Sequence, residues 1–519
     1  MEELIRMIKR FDKHKLAQID ILNSKESNTN ATKLYRAIIE ARILNDDDAA
    51  KFLFGKNARK SDSKYTTFKS DFRKRVHNSF LFVNLDVVNL DEYYKVIYEA
   101  NYRWMVIKNL FISNLSSDAV ELAKELLDHA IKNEYIEIAF LIIPHIKTMY
   151  ANKGDKTKYA YYTKLNQDLR EQYDAENKAR EYQELLRIEY VNSVAHRPKN
   201  AELAKKYFEA LKPLMEKYQS NILHLYAREL ETYTYTAVNN YEGLLDVAER
   251  ALVFFNSKNF KLKIAINIFL HQKMVALMYL RQYEAATKIT EVFLKEREHA
   301  TFNWFKGIES KMFLLFRMKR YEEAYKIYTE TTALPEHKTL DGLNKEIWQL
   351  FFVYFHLVHK LGFNVGSSTQ LFSKNFNFKK FKNDVPTLEH DKRGMNLILL
   401  VIELCFHITQ GKSSEIIDIE ESIKKQFLRY TDMTDHNYRI ALFGRMLLVL
   451  AGFLDDDTEL KNNLEPLLVL FSQTDNRISE TMYRSELIEL EDIWTMLLTK
   501  LEIKTQLPIS SKSLRSVKS

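Results

Sequence analysis

Apolar positions recur at helical spacing along almost the whole chain, and no run of clean apolar–polar alternation lies between turn signals. Residues 346–361, Glu-Ile-Trp-Gln-Leu-Phe-Phe-Val-Tyr-Phe-His-Leu-Val-His-Lys-Leu, are too long and too apolar for a surface strand. They predict a helix buried around most of its circumference. Over 117–132, Val120, Ala123, Leu127 and Ala130 share one helical face. Ser117 and Asp118 are its candidate N-caps and Asn133 its candidate end. Nearer the start, 31–44, 46–54 and 64–79 read as three helices, with Asn45-Asp46-Asp47-Asp48 as a capping run and Gly55 closing the second. The third sets Tyr65, Phe68, Phe72 and Val76 on one stripe. The expected fold class is all-α.

A repeat emerges when the turns are aligned. Asn240-Tyr241-Glu242, Gln282-Tyr283-Glu284 and Arg320-Tyr321-Glu322 each follow one helical run and open another, with the tyrosines 42 and 38 residues apart. Gln410-Gly411-Lys412 and Gly452-Phe453-Leu454 make comparable breaks further on. A period of about 40 with two helices per unit is the mark of an α-solenoid, in which each hairpin buries its apolar face on its neighbours. Composition agrees: 11 Gly and 7 Pro in 519 residues are too few for a sandwich, a propeller or a Gly-rich α/β enzyme.

The segment Lys319-Arg320-Tyr321-Glu322-Glu323-Ala324-Tyr325-Lys326-Ile327-Tyr328 resembles the second helix of a tetratricopeptide repeat. In that family a small Ala and an aromatic four residues later wedge the two helices of a unit together. Ala324 and Tyr328 stand at those places, and Pro335 lies near the closing proline. Tyr283-Glu284-Ala285-Ala286 repeats the turn and the small residue, with Thr290 in place of the aromatic. The unit at Tyr241 has Leu244 where Ala belongs, and Met274 and Met312 fill the small-residue place of the preceding helices. The resemblance is clearest over 220–335. It implies a right-handed superhelical array of antiparallel helix pairs. The organisation expected is a basic three-helix N-terminal subdomain over 1–90, tetratricopeptide-like repeats over 91–365, an irregular basic and aromatic connector over 366–394, helical repeats over 395–503 and a disordered basic tail over 504–519.

Charge is unevenly spread. The total is 77 − 70 = +7. Residues 1–75 carry 18 Lys and Arg against 11 Asp and Glu, and 504–519 carry 4 against none. A basic front and tail on a mildly acidic body suit an anionic partner at one end. Lys69, Arg73 and Lys74, off the apolar stripe of the third helix and beside only Asp71, are the candidate contacts, expected in water. Three short helices ending on a basic one fit a helix-turn-helix module as well as a subdomain capping a solenoid. Both readings stay open. In the connector, Phe372, Phe376, Phe378 and Phe381 interleave with Lys374, Lys379, Lys380 and Lys382, a pattern of base stacking or of lysines snorkelling from a partly buried segment.

Catalytic patterns are scarce. Gly411-Lys412-Ser413 ends like a phosphate loop, but Phe406 stands where its first glycine belongs. No G-x-G-x-x-G, G-x-S-x-G or H-E-x-x-H occurs. His356 and His359, three apart in an aromatic helix, have no third metal ligand in view, so they read as ordinary helix residues. Asp455-Asp456-Asp457 and Asp46-Asp47-Asp48 lack the alternation of a calcium loop and read as helix caps. His407-Ile408-Thr409-Gln410-Gly411 resembles a histidine-phosphotransfer motif, with Thr409 and Gln410 in place of the usual Leu and Lys. Cys405, the single cysteine, has no partner for a disulfide, which suits a reducing compartment. The opening residues are charged throughout, and the most apolar windows are broken by Glu403 and Arg445, short of the ~18–20 residues that cross a bilayer.

The expected function is a non-enzymatic, cytoplasmic interaction scaffold that binds a peptide or helix of a partner protein, without cofactor, metal or membrane. A nucleic-acid-associated regulator using the basic N-terminal helices is the second reading. A signalling component accepting phosphate on His407 is the third.

Overall fold

The computed structural model describes residues 29–40, 42–80, 92–192, 197–340, 342–366, 376, 378, 381, 395–411, 413–429, 436–453, 456–474 and 486–503. The remainder of the 366–394 connector, including its lysines, and the 504–519 tail lie outside the described residues. Twenty α-helices and no strand are found among the described residues, so the all-α expectation holds. None of these helices is long and apolar enough to cross a membrane. The chain divides into two compact units, Met1–Asn177 and Lys178–Ser519.

The first unit contains α1 (Asn30–Ile39), α2 (Asp46–Phe54), α3 (Ser63–Phe80), α4 (Glu92–Ile112), α5 (Ser116–Lys132), α6 (Ile136–Asn152) and the beginning of α7 (Lys156–Asn192). Helix α1 ends five residues earlier than its apolar pattern predicts. The Arg42 amide reaches back to the Ala37 carbonyl at 2.9 Å, and Ile43 then folds into the core. Asn45 caps α2 by accepting from the Asp48 amide at 2.9 Å. The predicted stripe of α3 packs as expected: Tyr65, Phe72 and Val76 are buried with Leu34, Ile38 and Ala49, and Phe68 lies half-buried against them. Helix α5 begins at Ser116 with Leu115 as its N-cap, so neither Ser117 nor Asp118 caps it. Backbone geometry at the preceding turn sets this start.

That turn recurs. At eight helix-to-helix junctions among the described residues a left-handed residue, with φ between 55° and 68°, stands two positions before the next helix: Asn114, Glu134, Gly154, Asn239, Arg281, Ala300, Lys319 and Gly411. The Lys319 amide bonds the Phe316 carbonyl at 3.1 Å and the Arg320 amide bonds the Leu315 carbonyl at 2.8 Å, and the same two bonds close the turns at Asn239 and Arg281. These bonds satisfy carbonyls that a helix end leaves open. A left-handed residue other than glycine costs roughly 1–2 kcal/mol, which the paired bonds offset. The next residue repeats too: Leu115, Tyr135, Asn240, Gln282 and Arg320 all have φ between −88° and −91°.

The second unit continues through α8 (Arg197–Lys217), α9 (Asn221–Thr236), α10 (Tyr241–Ser257), α11 (Lys263–Tyr279), α12 (Tyr283–Lys295), α13 (Phe302–Arg317), α14 (Tyr321–Thr332), α15 (Gly342–Lys360), α16 (Met395–Gln410), α17 (Ser413–Arg429), α18 (His436–Gly452), α19 (Asp457–Gln473) and α20 (Leu490–Lys500). From α8 to α19 every helix packs on its successor. The three tyrosine-opened helices of the repeat start at Tyr241, Tyr283 and Tyr321 as their sequence indicates. Ala286 and Ala324 are wholly buried. Tyr328 lies against Trp348, Phe352 and Phe355. Close approach also needs Gly307 on α13, where a Cβ would fall 2.6 Å from the Leu294 side chain of α12. Helix α15 is buried on most sides, its Phe351 stacked on Phe316 at 6.0 Å. Cys405 sits fully buried in α16, and burial pushes its thiol up to about 12.

One polar cluster interrupts this apolar packing. Arg317 of α13 and Arg439 of α18, both buried, converge on the segment leading into α20. Arg439 donates to Glu486 at 3.3 Å and to Glu491 at 2.5 Å, while Arg317 donates to the Glu486 carbonyl at 2.5 Å and meets Glu489 at 3.1 Å. Burial pushes the Glu486 carboxyl up against the pull of the two arginines; at Glu491 burial is outweighed by Arg439, which holds that carboxyl low. Toward the surface, Lys319 pairs with Asp492 at 2.8 Å and Tyr283 donates to Glu489 at 3.3 Å.

Two stability measurements follow from this packing. In urea denaturation, Ala286→Leu and Ala324→Leu are each expected to cost about 1–3 kcal/mol by overpacking a helix crossing. Arg439→Met is expected to cost about 3–5 kcal/mol by stranding Glu486, and adding Glu486→Met should recover most of it.

Candidate partner-binding surface

The recurring turn puts α9, α11 and α13 in register, because each precedes a left-handed residue at Asn239, Arg281 or Lys319. Offsets of 42 and 38 residues make Glu229, His271 and Glu309 equivalent positions. The same offsets align Tyr226 with Ile268 and Lys306, and Tyr233 with Val275 and Phe313. On α9, Ile222, Tyr226, Glu229 and Tyr233 share one helical face and are half-buried, as are Arg228 and the last turn from Thr234. On α11, Ile264 is exposed and Ile268, His271 and Val275 are half-buried, among other half-buried positions of that helix. On α13 the line closes over: Lys306 keeps some exposure, but Glu309 is buried.

The three equivalent polar groups sit in different fields. Glu229 is deeply surrounded, and burial pushes its carboxyl up to about 7, with Arg187 of α7 pulling the other way. The Arg180 guanidinium lies 5.7 Å from the centre of the Tyr226 ring. His271 sits 6.1 Å from the Phe293 ring. Glu309 is fully engaged, accepting from Lys306 at 2.7 Å and from the Trp348 indole at 3.2 Å. Beneath the α9 line, His224 stacks on Phe254 at 3.9 Å and burial pushes its imidazole down to about 4, so it is neutral at pH 7. The surface thus offers aromatic area, one proton-binding carboxylate and a few directional polar groups. It suits recognition of a side chain or backbone.

The residues singled out from the sequence fare unequally. Lys69 is a correction: it is half-buried and pairs with Asp46 at 2.7 Å, on the same oxygen that accepts from Tyr65 at 2.7 Å. The carboxylate that binds it lies 23 residues away, in the capping run of α2, so inspection of α3 alone misses it. Burial works against the Asp46 charge, but Lys69 and Tyr65 hold its carboxyl well below the usual range. Lys69 therefore ties α3 to the start of α2. Arg73 and Lys74 are exposed, Lys74 lying 3.9 Å from Asp71.

His407 is half-buried near the end of α16, and Gly411 takes φ 65° at the turn that follows. The glycine answers a conformational need of that turn. His356 is buried beside Phe352 and Phe376, with burial pushing it down to about 4, and His359 sits half-buried one turn on. No cluster of three metal-ligating side chains occurs among the described residues. Asp456 caps α19, accepting from the Thr458 and Glu459 amides. Phe378 of the connector is buried against Phe406, with Phe376 beside it. The register of Glu229 with His271 and Glu309 went unread in the sequence, although the tyrosine spacing that marks the turns also gives the offsets.

Comparisons with family models, with curated proteins and with solved structures found no match to this chain.

A raised carboxyl has a pH signature. Glu229 binds its proton in the folded chain up to about pH 7, against 4.5 for an ordinary glutamate, so its stabilising contribution is present at low pH and lost as pH rises through 7. Glu229→Gln is expected to gain about 1–3 kcal/mol at pH 8 and little at pH 4, flattening the stability profile measured by urea denaturation.

Proposed function

We propose that the chain is a non-enzymatic interaction scaffold. It is read as a right-handed superhelical array of antiparallel, tetratricopeptide-like helix pairs, whose first helices hold an extended peptide or a helix of a partner protein. The supporting observation is the equivalent placement of Tyr226, Glu229 and Tyr233 with Ile268, His271 and Val275 on successive first helices. Side-chain positions repeated at a fixed spacing match a ligand that is itself repetitive along its length, as a peptide backbone is. Tyrosine adds contact area at low entropic cost and keeps a polar tip, so it suits such a surface. A cytoplasmic setting goes with this reading. The regulator reading has less support, because Lys69 is taken up by Asp46 and only Arg73 and Lys74 of the basic set remain exposed.

A photo-crosslinking residue at position 226 or 268 is expected to capture a partner from native lysate, and one at position 253, on the outer side of α10, is not. Mass spectrometry of the linked peptides reads the result. Capture confined to position 253 would put the partner on the second helices and overturn the proposal.

A further inference from the structure

A second surface lies in the first unit, where α5, α6 and α7 bring three lysines onto tyrosine rings. Lys124 and Lys158 each stand 5.1 Å from the centre of the Tyr150 ring, and Lys147 stands 5.1 Å from that of Tyr159. Tyr162 stacks on Tyr150 at 5.6 Å and fixes its plane. Between 147 and 164 the chain carries five lysines and a single acidic residue, Asp155. Asp155 accepts from the backbone amide of Lys158 at 3.0 Å, so its carboxylate serves the start of α7. Among the described residues, none of the three lysines pairs with a carboxylate within ion-pair distance. Lys124 donates to the Tyr150 hydroxyl, and Glu121 on the same helix also acts on it.

Three ammoniums held together without carboxylates make a site of high positive potential. We propose that this surface binds an acidic segment of a partner protein, whose carboxylates pair with Lys124, Lys147 and Lys158. At Tyr150 the ring geometry favours carboxylates over bases. Base stacking needs open aromatic faces. Here Tyr150 is buried, with Tyr162 against it and ammoniums over it, and Lys147 lies over Tyr159. Lys158 is exposed, and Lys124 and Lys147 are half-buried; Lys124 and Lys158 also reach the Tyr150 hydroxyl. This surface is separate from the line on α9 and α11, and its proposal stands or falls independently of that one.

The test uses the full chain and two fluorescein-labelled probes, a decaglutamate peptide and a ten-residue oligothymidylate, read by anisotropy at low and physiological salt. The peptide should bind with salt-sensitive affinity and better than the oligonucleotide. Replacing Lys124, Lys147 and Lys158 together with Gln should weaken it by about tenfold or more, while the triple Arg replacement should retain it. The Arg variant separates loss of charge from loss of fold. Tighter binding of the oligonucleotide, equal peptide binding by the Gln variant, or no binding of the peptide by the unaltered chain would each overturn the inference.

Discussion

The left-handed residue that stands two positions before eight of the described helices is the constraint on which the helical pairing depends. A helix ends with open carbonyls, and something must satisfy them before the chain can reverse. Here one residue with positive φ lets its own amide and the next one turn back and do it, at Lys319, Arg281 and Asn239 alike. The bond pattern is the same at each of these turns. Side-chain packing then has to match a geometry that the backbone already imposes. The buried Ala286 and Ala324, and Gly307 against Leu294, are the small residues this geometry requires.

The second unit also carries a cost that its apolar packing does not explain. Two buried arginines and the Glu486 carboxylate leave water together, with Glu489 and Glu491 half-buried beside them, and each buried ion loses several kcal/mol of hydration. Apolar side chains of the same volume would pack there without that loss. What the charges add is register: Arg439 can satisfy Glu486 and Glu491 together only if the segment before α20 sits in one position. An apolar patch tolerates sliding, whereas a pair of charged hydrogen bonds does not.

Much of the fold was legible in the sequence because its signals are local. The tyrosine–glutamate openings mark helix starts at Tyr241, Tyr283 and Tyr321, and the apolar run over 346–361 marks a buried helix. The end of α1 and the start of α5 were misread, since the backbone turn decides them and the side chains nearby give no sign of it. Long-range pairing was the harder part. Arg317 and Glu486 are 169 residues apart and Lys69 and Asp46 lie on different helices, so no spacing rule joins either pair. Lys69 looked free because its apolar stripe was considered on one helix alone. The candidate surface on α9 and α11 was half-visible: the period was read, and the side chains it superimposes were not.

The burial of Cys405 has a practical consequence for anyone handling this protein. The thiolate is the reactive form of cysteine, and a thiol pushed up to about 12 is almost wholly protonated at neutral pH. It is also fully enclosed in α16, out of reach of maleimides and disulfides in the folded state. Since the chain has no other cysteine, the native protein is silent toward thiol reagents. Any cysteine introduced on its surface becomes a unique attachment point without removing the natural one, and labelling of Cys405 itself becomes a reporter of unfolding.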